Sequence, residues 1–251
     1  INLCCKRIYN FLGSIGMTQT ILITGASSGI GAATAHKFLQ AGWNVALLAR
    51  RIDKLEEIAS KYDRALSLVS DVTDENAIAA SFAKAANHFG RIDVLFNNAG
   101  IFPPGSRFDQ VSLEAWKSSV DINLTGMFIC AREAFRHMLD NGGRIINNGS
   151  ISASTPRPNS AAYSSTKHAI TGLTKSIALD GRDLNICCGQ IDIGNANTEL
   201  VANLIKHNGP MPTMDVSDAA DAVLHMANLP LSTNILSMTI MANEMPFVGR
   251  G

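Results

Sequence analysis

The sequence predicts an α/β fold, a single doubly wound parallel sheet with helices on both faces. Seven apolar, strand-like runs lie at residues 21–23, 45–48, 65–69, 94–96, 144–146, 186–191 and 235–241. Helical stretches separate them, and that alternation implies parallel pairing through crossover helices. The chain has 251 residues, enough for one α/β domain with a sizeable buried core. In such a sheet the crossovers are right-handed, and ligands sit beyond the carboxyl ends of the strands where strand order switches.

The first run leads into Thr24-Gly25-Ala26-Ser27-Ser28-Gly29-Ile30-Gly31, and an alanine-rich helical pattern follows over 32–39. This is a strand, a glycine turn and a helix. Gly25, Gly29 and Gly31 let the backbone turn tightly and approach a pyrophosphate, whose charge the free amides of a helix N-terminus receive. Close packing alone is the other use of such a turn. The second run enters Ala49-Arg50-Arg51 before a helix expected from about Ile52, with Asp53 in its first turn. The third ends at Asp71-Val72, ahead of a helix expected from Thr73. The fourth ends in Asn97-Asn98-Ala99-Gly100, and the fifth in Asn147-Asn148-Gly149-Ser150.

Tyr163 and Lys167 stand four residues apart on an expected helix, so a phenol and an ammonium share one face. A phenol titrates near pH ~10, and an adjacent cation favours phenolate, which makes the pair a tuned proton donor. By itself the pair also fits an amphipathic helix with a solvated lysine.

With these motifs in place, the chain resembles the short-chain dehydrogenases/reductases over about residues 20–241. The residues 24–31 look like the family's cofactor turn, Asn97 to Gly100 like its motif after the fourth strand, and Tyr163 with Lys167 like its catalytic pair. Ser150 precedes Tyr163 by thirteen residues and Asn123 precedes it by forty, the separations expected of the family's serine and asparagine. The resemblance implies a Rossmann-like fold and an oxidoreductase that moves a hydride between a nicotinamide and a small carbonyl or alcohol substrate. Tyr163 is then the general acid/base. Ser150 orients the reacting oxygen, with Ser152 as the lesser candidate. Lys167 holds the nicotinamide ribose, and Asn123 holds a water behind it; outside this pattern Asn123 is a helix-breaking residue satisfied by backbone groups. The cofactor-binding set implied is Gly25, Ser27, Ser28, Gly29, Ile30, Gly31, Arg50, Arg51, Asp71, Val72, Asn98, Ala99, Gly100, Tyr163, Lys167, Gly194, Ala196 and Thr198. Asp71 with Val72 would meet the adenine, or else cap a loop. The family's two long central helices, here about 121–141 and 161–179, imply a homodimer or homotetramer.

Charge at the end of the second strand bears on the choice of cofactor. An NAD site usually has a carboxylate there; Ala49 lacks one, and Arg50 supplies a cationic fork suited to a 2′-phosphate. NADP(H) is therefore expected, with NAD(H) the alternative. The arginines would otherwise be solvated residues ahead of a helix. A dinucleotide-binding regulator without turnover is the rival function, and it has no need of Tyr163 or Ser150.

The segment Gly189-Gln190-Ile191-Asp192-Ile193-Gly194-Asn195-Ala196-Asn197-Thr198 departs from the family, which usually has Pro-Gly, three residues and Thr. Gly194 and Thr198 match, Ile193 replaces the proline, and Asp192 puts a carboxylate at a position usually neutral. Asp192 or Gln190 contacts substrate, or both bond adjacent loops. The connection through Asp180-Gly181-Arg182-Asp183-Leu184 looks short. The substrate-covering segment, about 198–214, is also short; Leu200, Val201, Leu204, Ile205 and Met211 suit either an apolar pocket or a buried helix face, and His207 a surface position.

Twenty-one basic and twenty-one acidic residues leave no net charge, which argues against nucleic acid or an anionic membrane as partner. No apolar stretch reaches the ~18 residues needed to span a bilayer. No cluster has metal-ligand spacing. Cys4, Cys5, Cys130, Cys187 and Cys188 are odd in number and fit thiols of a reducing cytoplasm better than a disulfide framework. Residues 1–16 read as an N-terminal extension outside the fold, and 17–251 as the enzyme domain.

Overall fold

A computed structural model of the chain describes residues 18–247, apart from the side chains at positions 200, 203, 204, 207 and 208. The expected extension 1–16, with Cys4 and Cys5, lies outside the described residues. Strands β1 (Thr20–Thr24), β2 (Asn44–Ala49), β3 (Ala65–Val69), β4 (Val94–Asn97), β5 (Gly143–Asn148), β6 (Ile186–Ile193) and β7 (Ser237–Ile240) form one sheet in the order β3-β2-β1-β4-β5-β6-β7. Every pairing is parallel. Helices α1 (Gly29–Gln40), α2 (Ile52–Ala59), α3 (Glu75–Phe89), α4 (Leu113–Val120), α5 (Gly126–Met138), α6 (Ala161–Gly181), α7 (Glu199–Asn208) and α8 (Val216–Asn228) accompany it.

Burial on both faces explains the continuous apolar runs, and the strand period of two distributes each run between two cores. Ile21 and Ile23 join Phe38, Trp43, Val45 and Phe96 in a core that also takes Val223 and Met226 of α8. Leu22 points the other way and joins Leu48, Phe82, Leu95, Ile129 and Met138. The order reverses between β1 and β4, which pair through Ile21↔Val94 and Ile23↔Phe96. The connections leaving these two strands lie on opposite sides of that seam, so their loops part and leave a crevice.

The long central helix begins at Leu113, earlier than the expected 121. Ser112 caps it by accepting a hydrogen bond from Ala115 N at 3.1 Å. The helix then runs through a π turn (Asp121–Thr125) into α5, and this turn swings Asn123 fully inside. Helix α3 starts at Glu75, not Thr73, because Asp74 accepts from Ala77 N at 3.0 Å. Helix α6 outlasts its expected end and runs to Gly181. The chain then passes through a short turn to Asn185, whose φ of 56° redirects it into β6. At the opposite end of the sheet, buried Arg144 donates to the carbonyls of Leu229, Pro230 and Thr233 at 3.1, 3.2 and 2.9 Å, which ties the end of α8 to β5. Among the described residues no helix is long and apolar enough to cross a membrane, and no group of His, Cys, Asp and Glu is arranged to hold a metal.

Helix α1 packs so closely on the turn before it that a Cβ at Gly31 would stand 2.3 Å from the Gly25 carbonyl oxygen and 2.7 Å from Asn98 Nδ2. Gly31→Ala should therefore lower stability by about 1–3 kcal/mol in urea denaturation. Gly172→Ala, within α6 where nothing lies within 4 Å of the new carbon, should raise it by up to about 1 kcal/mol.

Candidate active site

The carboxyl ends of β1, β4 and β5 are joined by a chain of buried or half-buried polar groups. Thr24 Oγ1 accepts from the backbone N–H groups of Asn98 and Ala99 at 2.8 and 2.9 Å. Asn98 Nδ2 donates back to Thr24 O at 3.0 Å, while its Oδ1 accepts from Asn148 Nδ2 at 2.8 Å. Lys167 Nζ completes the series by donating to Asn148 O at 2.8 Å. The glycine turn is thereby linked to the lysine on α6. Thr24 and Asn148 were not singled out by sequence; their only mark is polarity at the end of an apolar strand.

On one side of this chain lies the glycine turn. Gly25 and Gly29 hold φ values of +67° and +54°, a region that favours glycine. Ser28 precedes α1 but makes no side-chain cap bond, so the first amides of the helix are left facing outward. Thr198 closes the rim, its Cγ2 lying 3.3 Å from where a Gly29 Cβ would stand. Arg51, rather than Arg50, covers the turn: its Nη2 donates to Ser28 Oγ at 2.8 Å and to Ser27 Oγ at 3.0 Å. Arg50 instead leans toward Asp71, 3.6 Å away. Asp71 mainly caps its own loop, accepting from Thr73 N and Thr73 Oγ1 at 3.0 and 2.8 Å, and these bonds hold its carboxyl below the usual range. Val72 is buried against Gly126, where a Cβ would meet Val72 Cγ2 at 2.7 Å. Gly100 sits beneath Asn123. Gly194 donates its N–H to Ile240 O at 2.8 Å, and Ala196 bridges to Met214, so both stand on the stem of the segment that leads to Thr198.

On the other side, Tyr163 and Lys167 share a face of α6, with the ammonium 5.5 Å from the centroid of the phenol ring. Phe102 packs against the same ring at 4.6 Å. Ser150, the cap of a short turn after β5, lies near enough to the phenol for its side chain to favour the ionised form. Ser152 is buried and offers its N–H to Ser150 Oγ at 3.1 Å, which makes it a support for Ser150. Asn123 spends its amide on Ile101, accepting from N at 2.7 Å and donating to O at 2.9 Å, with Thr166 Oγ1 at 3.4 Å. The site also contains groups the sequence did not flag. Arg157 donates to Asn195 Oδ1 at 2.9 Å, and its charge is felt at the phenol.

The expected downward shift of Tyr163 is not what this environment produces. Burial raises the phenol above its ordinary value because phenolate loses its water; the Ser150 hydrogen bond and the Arg157 charge oppose the rise, and Asp192 adds to it. Burial likewise pushes the Lys167 ammonium down to about 8, with Asp192 pulling the other way. The tyrosine is thus held as a protonated donor at neutral pH, beside a lysine close to its own titration point.

The sequence matches the family profile described as short chain dehydrogenase over residues 19–209. The chain belongs to the short-chain dehydrogenase family. It is an oxidoreductase acting on hydroxyl or carbonyl groups. Cis-4-hydroxycyclohexanecarboxylate dehydrogenase of Sinomonas cyclohexanicum is 36% identical over 197 residues, 77% of this chain and 79% of that protein. The structure of a 3-ketoacyl-(acyl-carrier-protein) reductase from Brucella melitensis complexed with NADH superposes with a TM-score of 0.85 at 26% identity, covering 90% of this chain and 98% of that one. A closed form of serine dehydrogenase complexed with NADP+ gives 0.86 at 25% identity, covering 93% and 98%.

A lysine held below its unfolded pKa makes stability rise with pH where only the unfolded chain is still protonated. For this short-chain dehydrogenase that window runs from about pH 8 to 10.5. Wild type should gain stability across it relative to Lys167→Met, by on the order of 3 kcal/mol in urea titrations.

Proposed function

We propose that the chain catalyses NADP(H)-dependent hydride transfer between a nicotinamide and a small carbonyl or alcohol substrate, with Tyr163 as general acid/base. The observation that carries this reading is the meeting of Tyr163, Ser150 and Lys167 at the end of the polar chain that starts at the glycine turn. A protein that only binds a dinucleotide gains nothing from a serine beside a half-buried phenol.

The residues present fit a dinucleotide. The turn brings backbone close at Gly25 and Gly31, the uncapped start of α1 suits a pyrophosphate, and Asn148 Oδ1 is a buried acceptor without a partner beside Lys167. Gly25, Ser27, Ser28, Gly29, Ile30 and Gly31 would hold the phosphates, Asn98, Ala99 and Gly100 the middle of the molecule, and Gly194, Ala196 and Thr198 the nicotinamide end. When bound, the nicotinamide supplies or receives the hydride. Arg51 over Ser27 and Ser28, together with Ala49 where a carboxylate would repel a 2′-phosphate, favours NADP(H) over NAD(H).

In reduction, Tyr163 gives its proton to the substrate oxygen as hydride reaches the carbon, and Ser150 hydrogen-bonds that oxygen and stabilises its developing charge. Lys167 stabilises the phenolate that remains. In oxidation Tyr163 must begin as phenolate, which burial disfavours. Arg157 brings a positive charge toward the phenol, against the negative charge of Asp192, and would suit a substrate that carries a carboxylate, as the substrate named for the Sinomonas relative does. Trp116 and Phe128, exposed along the central helix, support a homo-oligomer.

Tyr163→Phe should reduce NADPH-dependent turnover across a panel of aldehydes, ketones and oxo acids by about a thousandfold or more, while fluorescence titration still reports NADPH binding. Arg51→Ala should weaken NADPH by roughly 10- to 100-fold and NADH by less than about threefold; equal losses would exclude the phosphate contact. The reductive rate should hold through neutral pH and fall as Lys167 deprotonates near about 8, whereas the oxidative rate should climb with pH.

A further inference from the structure

Asp192 is a half-buried carboxylate at the end of β6, and hydrogen bonds define its position. Its Oδ1 accepts from the backbone N–H of Ser150 at 2.8 Å and from Gln190 Nε2 at 2.7 Å. Gln190, itself buried, is steadied by Thr171 Oγ1 on α6 at 3.2 Å. Gly149 makes the approach feasible, since a Cβ there would stand 2.1 Å from Asp192 Oδ1 and 2.7 Å from Gln190 Nε2. The Gly149 N–H is bonded to Ile191 O at 2.8 Å, so the backbone on both sides of the contact is fixed to β6. Three features of the sequence thus converge on one atom: a carboxylate at 192, an amide at 190 and a glycine at 149.

We propose that Asp192 is a positioning residue, which with Gln190 fixes the backbone of Ser150 and through it directs the hydroxyl presented to Tyr163. This rests on the catalytic reading of Ser150 and Tyr163 above. The N–H of Ser150 lies where β5 has ended and no ladder partner remains. Its hydroxyl accepts from Ser152 N, so one further tie at the Ser150 amide leaves the side chain a narrow range of directions. Besides its charge, which favours protonated Tyr163 and Lys167, Asp192 acts on the reaction through Ser150 and does not touch the substrate. Such a tie matters because a displacement of about 1 Å in an orienting group costs on the order of a hundredfold in rate.

The two substitutions that separate the possibilities are Asp192→Ala, which removes the acceptor, and Asp192→Asn, which keeps an oxygen able to accept both bonds but removes the charge. Hydrogen exchange at the Ser150 amide, read by NMR with serine labelling, reports the tie without any turnover, and Ile145 within β5 serves as the internal control. In Asp192→Ala the Ser150 amide should exchange at least about tenfold faster with Ile145 unchanged. In the same variant kcat should fall at least about tenfold, with KM within roughly threefold and the order of preferred substrates preserved. Asp192→Asn should restore most of the protection and, assayed at about pH 6 where Lys167 stays protonated without the Asp192 charge, most of kcat. Unchanged exchange at Ser150 in the Ala variant would overturn the proposal, as would faster exchange with kcat retained, or a reordered substrate preference. Asp192→Asn as damaging as Asp192→Ala would also overturn it, since charge and not the acceptor would then be at work. If wild type turns over no substrate of the panel, the catalytic reading fails separately, and the exchange comparison still decides the tie to Ser150.

Discussion

The hydrogen bonds from Thr24 through Asn98 and Asn148 to Lys167 are the constraint on which the rest of the site depends. A parallel sheet ends in backbone groups that have lost their ladder partners, and burying them without replacement is costly. Here the Thr24 and Asn98 side chains supply the replacements, and the Asn148 amide ties Asn98 to β5. The strands on either side of the switch in strand order are thereby locked in register with one another. Because Lys167 is bonded to the carbonyl of Asn148, the same network also sets how α6 sits over the sheet.

From that anchor the two halves of the site take opposite electrostatic characters. At the glycine turn the helix N-terminus and Arg51 gather positive potential in a region open to solvent, suited to phosphate. At the far end Lys167 is buried and Tyr163 half-buried, and desolvation outweighs the direct influence of neighbouring charges on both. A cation four residues from a phenol implies a lowered pKa only if the two sit in comparable solvent. Where desolvation dominates, the cost of forming phenolate comes first, and the pair becomes a neutral phenol with a weakly held ammonium beside it.

The candidate site was legible where its signal lies in spacing along the chain. The glycines at 25, 29 and 31, the Tyr163–Lys167 pair and the placement of Ser150 stand out in the chain, because each is marked by a local turn, by helical periodicity or by its spacing from the others. The strands were legible for the same reason, since burial on both faces makes each a short apolar run. Helix starts were less so: Ser112 and Asp74 are good caps, yet Asp71 and Asp121 are similar residues nearby, and only the backbone bonds formed distinguish them.

By itself the sequence determined the α/β class, the order of strands and helices along the chain, the glycine turn between the first strand and helix and the presence of a tyrosine–lysine pair, since these follow from interactions between residues close in sequence. The tertiary structure alone decided which of two adjacent arginines covers the turn, where Asn123 spends its amide, which way the phenol shifts, and that the carboxylate at 192 bonds the backbone at 150, forty-two residues away. Each of these depends on direction and on solvent exclusion, and those exist only once the sheet has brought distant strand ends together.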